Sequence, residues 1–306
     1  MIFLLTLLLT GLMVVLAKKF NLVDSPGVRR THGVITPRGG GIAIVLVATS
    51  VILKPIYVAA FSIACLGFWD DISNLSARFR LVVQCIVAAL TIYCLNEFRD
   101  INLFGFMLPA MVFLVLAVWV TNLYNFMDGI NGLAGCEAIF FALGMAFITK
   151  QDTRDWYVLA SATLGFLVWN FPRARIFLGD VGSQFFGFLF ASILVKEAIY
   201  SETNFVCALI LLGFFIVDTS FTLIVRLLTS QKLTQAHRTH LYQLLWKKMQ
   251  SHSKVTLLIM LINIYWLLPC AYLVAEGYLH SSLGLLISYA PLVIMAVFFR
   301  AGYLPD

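Results

Sequence analysis

Charge is scarce in this chain. Asp, Glu, Lys and Arg make up 12% of its 306 residues, about half the share found in soluble domains. No stretch between the apolar runs is long enough to fold as a separate soluble domain. Short alternating apolar and polar segments are missing, which argues against a membrane β-barrel. No basic residue precedes the first apolar run, 1–17, and the pair Lys18–Lys19 follows it. A secretory leader carries its charge at the front, so this run reads as a retained helix. Six cysteines occur, all in or at the ends of apolar runs and none in C-x-x-C. That pattern suits small apolar side chains better than a disulfide framework or a zinc site.

What is present is apolar: 61% of the residues, with a mean hydropathy of +0.94. A spanning helix needs about 20 mostly apolar residues. Eleven segments of roughly that kind are expected, at 1–17, 39–53, 56–69, 79–96, 106–126, 132–149, 156–171, 182–199, 204–228, 255–275 and 282–299. The segment 56–69 is short for a full crossing. The expected fold is an all-α polytopic membrane bundle of about 11 transmembrane helices, one domain over 1–306, with cytoplasmic loops about 18–38, 70–78, 127–131, 172–181 and 229–254. With the N-terminus outside and the C-terminus cytoplasmic, 16 Lys and Arg fall on the cytoplasmic side and 5 (Lys54, Arg99, Lys150, Arg154, Lys196) on the other. The positive-inside rule favours that orientation. The net charge of +6 is then a matter of topology, and no nucleic-acid partner is expected.

In this topology five polar signatures share the cytoplasmic face: SPGVRRTHGVITPRGGG (25–41), GFWDDISNLSARFR (67–80), TNLYNFMDGING (121–132), NFPRARIFLGDVGS (170–183) and AHRTH (236–240). Ionisable residues at membrane depth are functional candidates. Each also has a structural alternative. Asp180 suits a helix N-cap. Asp70 and Asp71 suit a solvated loop pair, and Asp128 before Gly129 suits a turn. Asn122 and Asn125 could bond between helices, and the glycines of PRGGG could serve helix packing. Converging carboxylates suit Mg²⁺, which takes one or two of them plus substrate phosphates. Arg173, Arg175, His237, Arg238 and His240 on the same face suit phosphoryl chemistry. His237 and His240, three apart, would share a helix face and donate to a diphosphate. The segment 233–254 reads as amphipathic, with Leu241, Leu244, Leu245, Trp246 and Met249 opposite Lys247 and Lys248. It suits a helix in the membrane interface that holds the histidines at headgroup depth.

The ordered set of PRGGG, WDD, NxxNxxDGxNGL, FLGDxGS, DTSFTLIVR and HRTH resembles the polyprenyl-phosphate N-acetylhexosamine-1-phosphate transferases (glycosyltransferase family 4), over nearly the whole chain. The resemblance implies attack by undecaprenyl phosphate on the β-phosphorus of a UDP-N-acetylhexosamine, giving undecaprenyl-diphospho-sugar and UMP. It implies Mg²⁺, with Mn²⁺ as the alternative ion, at the bacterial inner membrane, and leaves a homodimer open. It makes Asp70, Asp71 and Asp128 catalytic candidates and Asp180 with Asp128 the metal candidates. Arg38, Asn122, Asn125, Asn131, Asn170, Arg173, His237, Arg238 and His240 become candidates for substrate binding. Two departures point away from a muramoyl-pentapeptide donor: Asp128-Gly-Ile-Asn131-Gly replaces DGxDG, and His-Arg-Thr-His replaces three consecutive histidines. AHRTHLYQ looks more like the branch that starts O-antigen and related polysaccharides. The alternatives are a CDP-alcohol phosphatidyltransferase, whose AR and further spaced aspartates do not follow Asp128-Gly129, and a transporter, which would place polar sites at the midplane. Asp218, inside an apolar run, is either a buried site residue or a hydrogen-bonded structural group.

Overall fold

The structure, a computed structural model, describes residues 1–24, 35–232, 235 and 237–304. Residues 25–34 of the first signature and Ala236 of the last lie outside the described residues. Helix α1 (Ile2–Lys19) leads into a two-residue ladder in which β1 (Val23–Asp24) pairs antiparallel with β2 (Thr36–Pro37). Then follow α2 (Gly41–Val51), α3 (Pro55–Ser73) and α4 (Ala77–Asn96). A hairpin of β3 (Ile101–Leu103) and β4 (Phe106–Leu108) precedes α5 (Ala110–Phe126), α6 (Leu133–Thr149), α7 (Thr153–Asn170) and α8 (Gly179–Tyr200). The chain continues through α9 (Glu202–Leu211), α10 (Gly213–Leu228), α11 (Leu241–Met249) and α12 (His252–Ile262). A π turn (Asn263–Leu267), α13 (Leu268–Ala275) and α14 (Ser281–Phe298) complete it.

Each of the eleven expected segments is largely helical. Among the described residues, six helices are long and apolar enough to cross a membrane, or seven with α9–α10 counted as one span. Helices α2, α5 and α6 are apolar but shorter, at 11, 17 and 17 residues. With no water in the hydrocarbon core, a chain this apolar satisfies its backbone inside helices. The chain is a helical, multi-pass membrane protein.

Three segments differ most from the sequence reading. The segment expected to be too short, 56–69, is the 19-residue α3, because Trp69 to Ser73 stay helical and end at Asn74 in the left-handed conformation. The segment expected from 106 begins as β4, and the helix starts after Pro109. Phe104 (φ 54°) and Gly105 (φ 77°) form the two-residue turn of that hairpin, the geometry that matches strand twist. The run 204–228 is bent by 72° between α9 and α10.

Helix α8 sits at the centre, almost wholly buried, with α2, α3, α4, α5 and α9 packed around it. Its aromatic residues do much of the filling. Tyr124 meets Phe186, Phe190 and Phe215 with ring centroids 5.0–5.9 Å apart, within the range of favourable aromatic pairs. The Tyr124 hydroxyl donates to the carbonyl of Ala134 at 2.6 Å, tying α5 to the first turn of α6. The loops that follow α3, α5 and α7, the last of which leads into α8, carry three of the polar signatures.

Candidate active site

Helices α3 and α8 touch backbone to backbone at Gly67. A methyl group there would lie 2.3 Å from the carbonyl oxygen of Asp180 and 2.8 Å from the nitrogen of Val181. One turn further along α3, Asp71 reaches the start of α8. Its Oδ1 accepts the Asp180 N–H and its Oδ2 the Val181 N–H, each at 3.2 Å. A carboxylate at a helix N-terminus satisfies orphan donors and faces the positive end of the macrodipole. The cap of α8 is thus supplied by another helix. Asp180 lies in the first turn after Leu178, the N-cap position, which leaves its carboxylate available for other partners. Asp70 and Asp71 are helical and buried, at 7% and 3% exposure, so neither is a solvated loop residue.

Basic residues bind these carboxylates. The Arg38 guanidinium donates to the Asp71 carbonyl oxygen, and its Nη1 lies 3.8 Å from Asp71 Oδ1. Arg80 pairs with Asp70 and reaches Asp180 Oδ2 at 3.3 Å. Asp70 Oδ1 also accepts the Leu75 N–H at 2.6 Å, so both its oxygens are engaged.

A cavity of about 290 Å³ opens beside this cluster. Its wall includes the carboxylates Asp24, Asp71, Asp128 and Asp180, the guanidinium Arg38, the amides Asn125, Asn131, Asn170 and Gln243, and the ring of Phe177. Four of the five signatures line it directly; Gln243 comes from just beyond the fifth. Asp128 lies between α5 and α6. Burial, and then the charge of Asp71, push its carboxyl well above the usual carboxylate range. Gly129 beside it is fixed by contact: an added methyl would lie 2.0 Å from the Tyr242 hydroxyl oxygen. That hydroxyl donates to the carbonyl of Phe126 at 3.1 Å, which pins the turn.

The amides divide by role. Asn125 Oδ1 accepts the Ser183 hydroxyl at 2.6 Å. Asn131 donates its Nδ2 to the Pro172 carbonyl at 3.3 Å. Asn170 accepts the Gly132 N–H at 2.7 Å and donates to the Ile176 carbonyl at 2.9 Å, so it struts two loops while lining the cavity. Asn122 lies away from the cavity wall. Its Nδ2 donates to Gln84 Oε1 at 2.7 Å, and Gln84 donates to Gln184 at 3.4 Å, a polar thread through α4, α5 and α8. Arg173 is exposed and also outside the wall, while Arg175 lies over the Trp169 ring.

The histidines are not on a helix face, as their spacing had suggested. Helix α11 begins only at Leu241, with His240 at its N-cap and His237 in the preceding loop. The rings still meet, with centroids 4.9 Å apart. The organiser is Asp218, 0% exposed, whose oxygens accept the backbone N–H groups of Leu241 (2.8 Å) and Tyr242 (2.9 Å) and lie 3.3 Å from His240 Nδ1. Burial, then the neighbouring His240 and Arg226, push the His237 imidazole down to about 3. His237 is therefore neutral near pH 7, and its Nδ1 lies 2.9 Å from the Thr239 hydroxyl. His237, Arg238 and His240 are not in the cavity wall; Gln243, one turn on, is. The apolar face of α11 packs inward, with Leu241 and Leu245 buried and Lys247 and Lys248 exposed.

Sequence reasoning missed Arg80, Gln243, Asp24 and Phe177. Arg80 ends the signature that holds Asp70 and Asp71, and Gln243 closes the run HLYQ; their positions next to the motifs were the available signal.

Among the described residues, no three His, Cys, Asp or Glu side chains form a ready protein cage for a metal. Mg²⁺ seldom uses one; it binds through one or two carboxylates and keeps sites for water and phosphate. The carboxylates of Asp71, Asp128 and Asp180 around one cavity fit that habit.

The fold and the cavity define a helical membrane protein with a carboxylate- and amide-lined site built from loops at one end of the bundle. Comparison with known proteins sharpens that class. The model of "Glycosyl transferase family 4" matches residues 53–198. A probable undecaprenyl-phosphate N-acetylglucosaminyl 1-phosphate transferase of Bacillus subtilis (strain 168) is 31% identical over 281 residues, covering 84% of this chain and 78% of that protein. An undecaprenyl-phosphate alpha-N-acetylglucosaminyl 1-phosphate transferase of Thermotoga maritima is 28% identical, covering 82% of each. A phospho-N-acetylmuramoyl-pentapeptide-transferase of Streptococcus pyogenes serotype M12 is 32% identical, but over only 52% of this chain and 58% of its own. The chain belongs to glycosyl transferase family 4.

Proposed function

We propose that the protein transfers an N-acetylhexosamine 1-phosphate from a UDP-sugar to undecaprenyl phosphate, giving undecaprenyl-diphospho-sugar and UMP. The observation that carries this reading is the convergence of Asp71, Asp128 and Asp180 with four amides on one cavity at the end of the bundle, in a chain of this family. We place that cavity on the cytoplasmic face of an eleven-crossing bundle, where a nucleotide sugar arrives from water and a lipid phosphate from the bilayer.

In this reaction an oxygen of the lipid phosphate bonds to the β-phosphorus as the bridging P–O bond breaks, and UMP leaves with the bonding pair. A lipid phosphate is already ionised near neutral pH, so positioning and charge neutralisation supply most of the catalysis. Mg²⁺ held by Asp180 and Asp128 would supply that neutralisation at the diphosphate. Asp71 holds the first turn of α8, and with it Asp180, in place. Asp70 acts through Arg80, which it orients toward Asp180. Asn125, Asn131 and Gln243 face the cavity and suit the polar groups of a nucleotide sugar. In the tautomer in which the Thr239 hydroxyl donates to Nδ1, neutral His237 offers its Nε2–H to a phosphate oxygen that approaches the α10–α11 loop.

The sugar we favour is an N-acetylhexosamine without a peptide. Asn131 and His237-Arg-Thr-His240 support this, and so does the broader match to N-acetylglucosaminyl 1-phosphate transferases. We place the product at the start of O-antigen or a related surface polysaccharide. The test is UMP release by purified protein with undecaprenyl phosphate, Mg²⁺ and a panel of UDP-N-acetylhexosamines, beside Asp180→Asn. Release that requires lipid, metal and one donor, and is lost in the variant, is the expected result. Folded protein that neither releases UMP nor binds any of the UDP-sugars would refute the reading.

A further inference from the structure

Glu137 and Asn263 are both 0% exposed. Glu137 lies one turn into α6, and Asn263 opens the π turn that follows α12. Asn263 Nδ2 donates to Glu137 Oε2 at 2.6 Å. Among the described residues, the other oxygen of each group, Glu137 Oε1 and Asn263 Oδ1, is buried without a partner. An ionised carboxylate and an amide oxygen are both acceptors and cannot satisfy one another. Two orphan acceptors in a protein interior demand an explanation. One proton would resolve both: a protonated Oε1 could donate to Asn263 Oδ1 while Asn263 Nδ2–H donates to Oε2. The two groups would then form a ring of two hydrogen bonds, with no buried charge.

The same side of α12 serves the cavity. His252 Nδ1 accepts the Asn131 N–H at 3.4 Å, and the Thr256 hydroxyl donates to the Asn131 carbonyl at 2.9 Å. Residues 252, 256 and 263 follow the spacing of one helix face. A π turn inside a helix is a feature that often marks a functional constraint, and here it begins at the residue that meets Glu137.

We propose that Glu137 is an uncharged carboxylic acid closed in a ring with Asn263, and that this ring is the positioning lock that seats α12 against the Asp128–Asn131 turn. Glu137 touches no substrate; it acts through His252, Thr256 and Asn131. The effect on substrate rests on the transferase reading, whereas the protonation does not.

The test compares the parent with Glu137→Gln and Glu137→Ala in detergent or nanodiscs. The infrared difference spectrum, parent minus Glu137→Gln, is expected to show the C=O band of a protonated carboxyl. Gln at 137 rebuilds the ring as an amide pair, so thermal midpoint, kcat and KM for the UDP-sugar are expected at parental values. Ala at 137 is expected to raise that KM about tenfold with a smaller change in kcat. Absence of the band, or a Gln variant as impaired as Ala, would overturn the uncharged ring. A folded Ala variant with parental KM would overturn the positioning role. If the parent releases no UMP, the transferase reading fails while the infrared band still decides the protonation.

Discussion

Gly67→Ala is the sharpest perturbation the structure offers. The new methyl would sit 2.3 Å from the Asp180 oxygen, 2.6 Å from its carbonyl carbon and 2.8 Å from the Val181 nitrogen. Ordinary contact lies at about 3.5–4.0 Å, and backbone atoms cannot rotate away as a side-chain tip can. Helices α3 and α8 must therefore part by about 1 Å. Asp71 rides on α3 one turn from Gly67, and its bonds to the Asp180 and Val181 amides are already 3.2 Å long. A further ångström takes them beyond hydrogen-bond range. Overpacking costs about 1–3 kcal/mol, and loss of an N-cap acceptor adds about 0.5–2 kcal/mol. A misplacement of about 1 Å near a reacting centre costs on the order of 10²-fold in rate. The assay is UMP release at saturating substrates together with thermal unfolding of the purified protein. The expected outcome is folded protein with a lower midpoint and a rate down by about two orders of magnitude. Parental turnover at an unchanged midpoint would refute the argument that the Gly67 contact sets the position of Asp180.

Gly129→Ala should collide with the Tyr242 hydroxyl and lose activity by about 10²-fold; adding Tyr242→Phe removes the oxygen that lies 2.0 Å from the new methyl and should restore part of the rate. Asp218→Ala strands the buried N–H groups of Leu241 and Tyr242 at about 1–3 kcal/mol each, so the thermal midpoint should fall well below that of an Asp100→Ala control at an exposed position; equal midpoints would count against the cap. His237, held down to about 3 against an ordinary value of about 6.5, should show ring ¹⁵N shifts of a neutral imidazole from pH 8 to pH 5 in the unliganded protein. Because its folded value lies below its unfolded one, its contribution to stability is present above about pH 6.5 and is lost as pH falls toward the folded value. Removal of divalent ions with a chelator should abolish UMP release, Mg²⁺ should restore it, and Asp180→Asn should weaken Mg²⁺ binding measured directly by calorimetry; release that persists in the chelator would rule out the metal.

The polar signatures were legible in the sequence because each interrupts an apolar run. Their internal arrangement was not. Asp180 had a helix cap as its structural alternative to a site role, yet the cap is Asp71, because only the α3–α8 crossing at Gly67 brings that carboxylate to the amides. The histidines looked like one face of a helix, but Asp218 draws the Leu241 and Tyr242 amides to itself, and the helix starts at Leu241, after both histidines. Arg80 was counted as a topology charge, although the structure gives it two carboxylate partners, one of them 100 residues away.

By itself, the sequence determined that the chain lives in a membrane as helices and which polar stretches stand at their ends. In a bilayer, apolar runs of this length have no other way to satisfy their backbone. Only the tertiary structure decided which side chains face the cavity and which brace it. Those assignments rest on contacts such as Asp71 to Val181, 110 residues apart, and no local periodicity carries information across that distance.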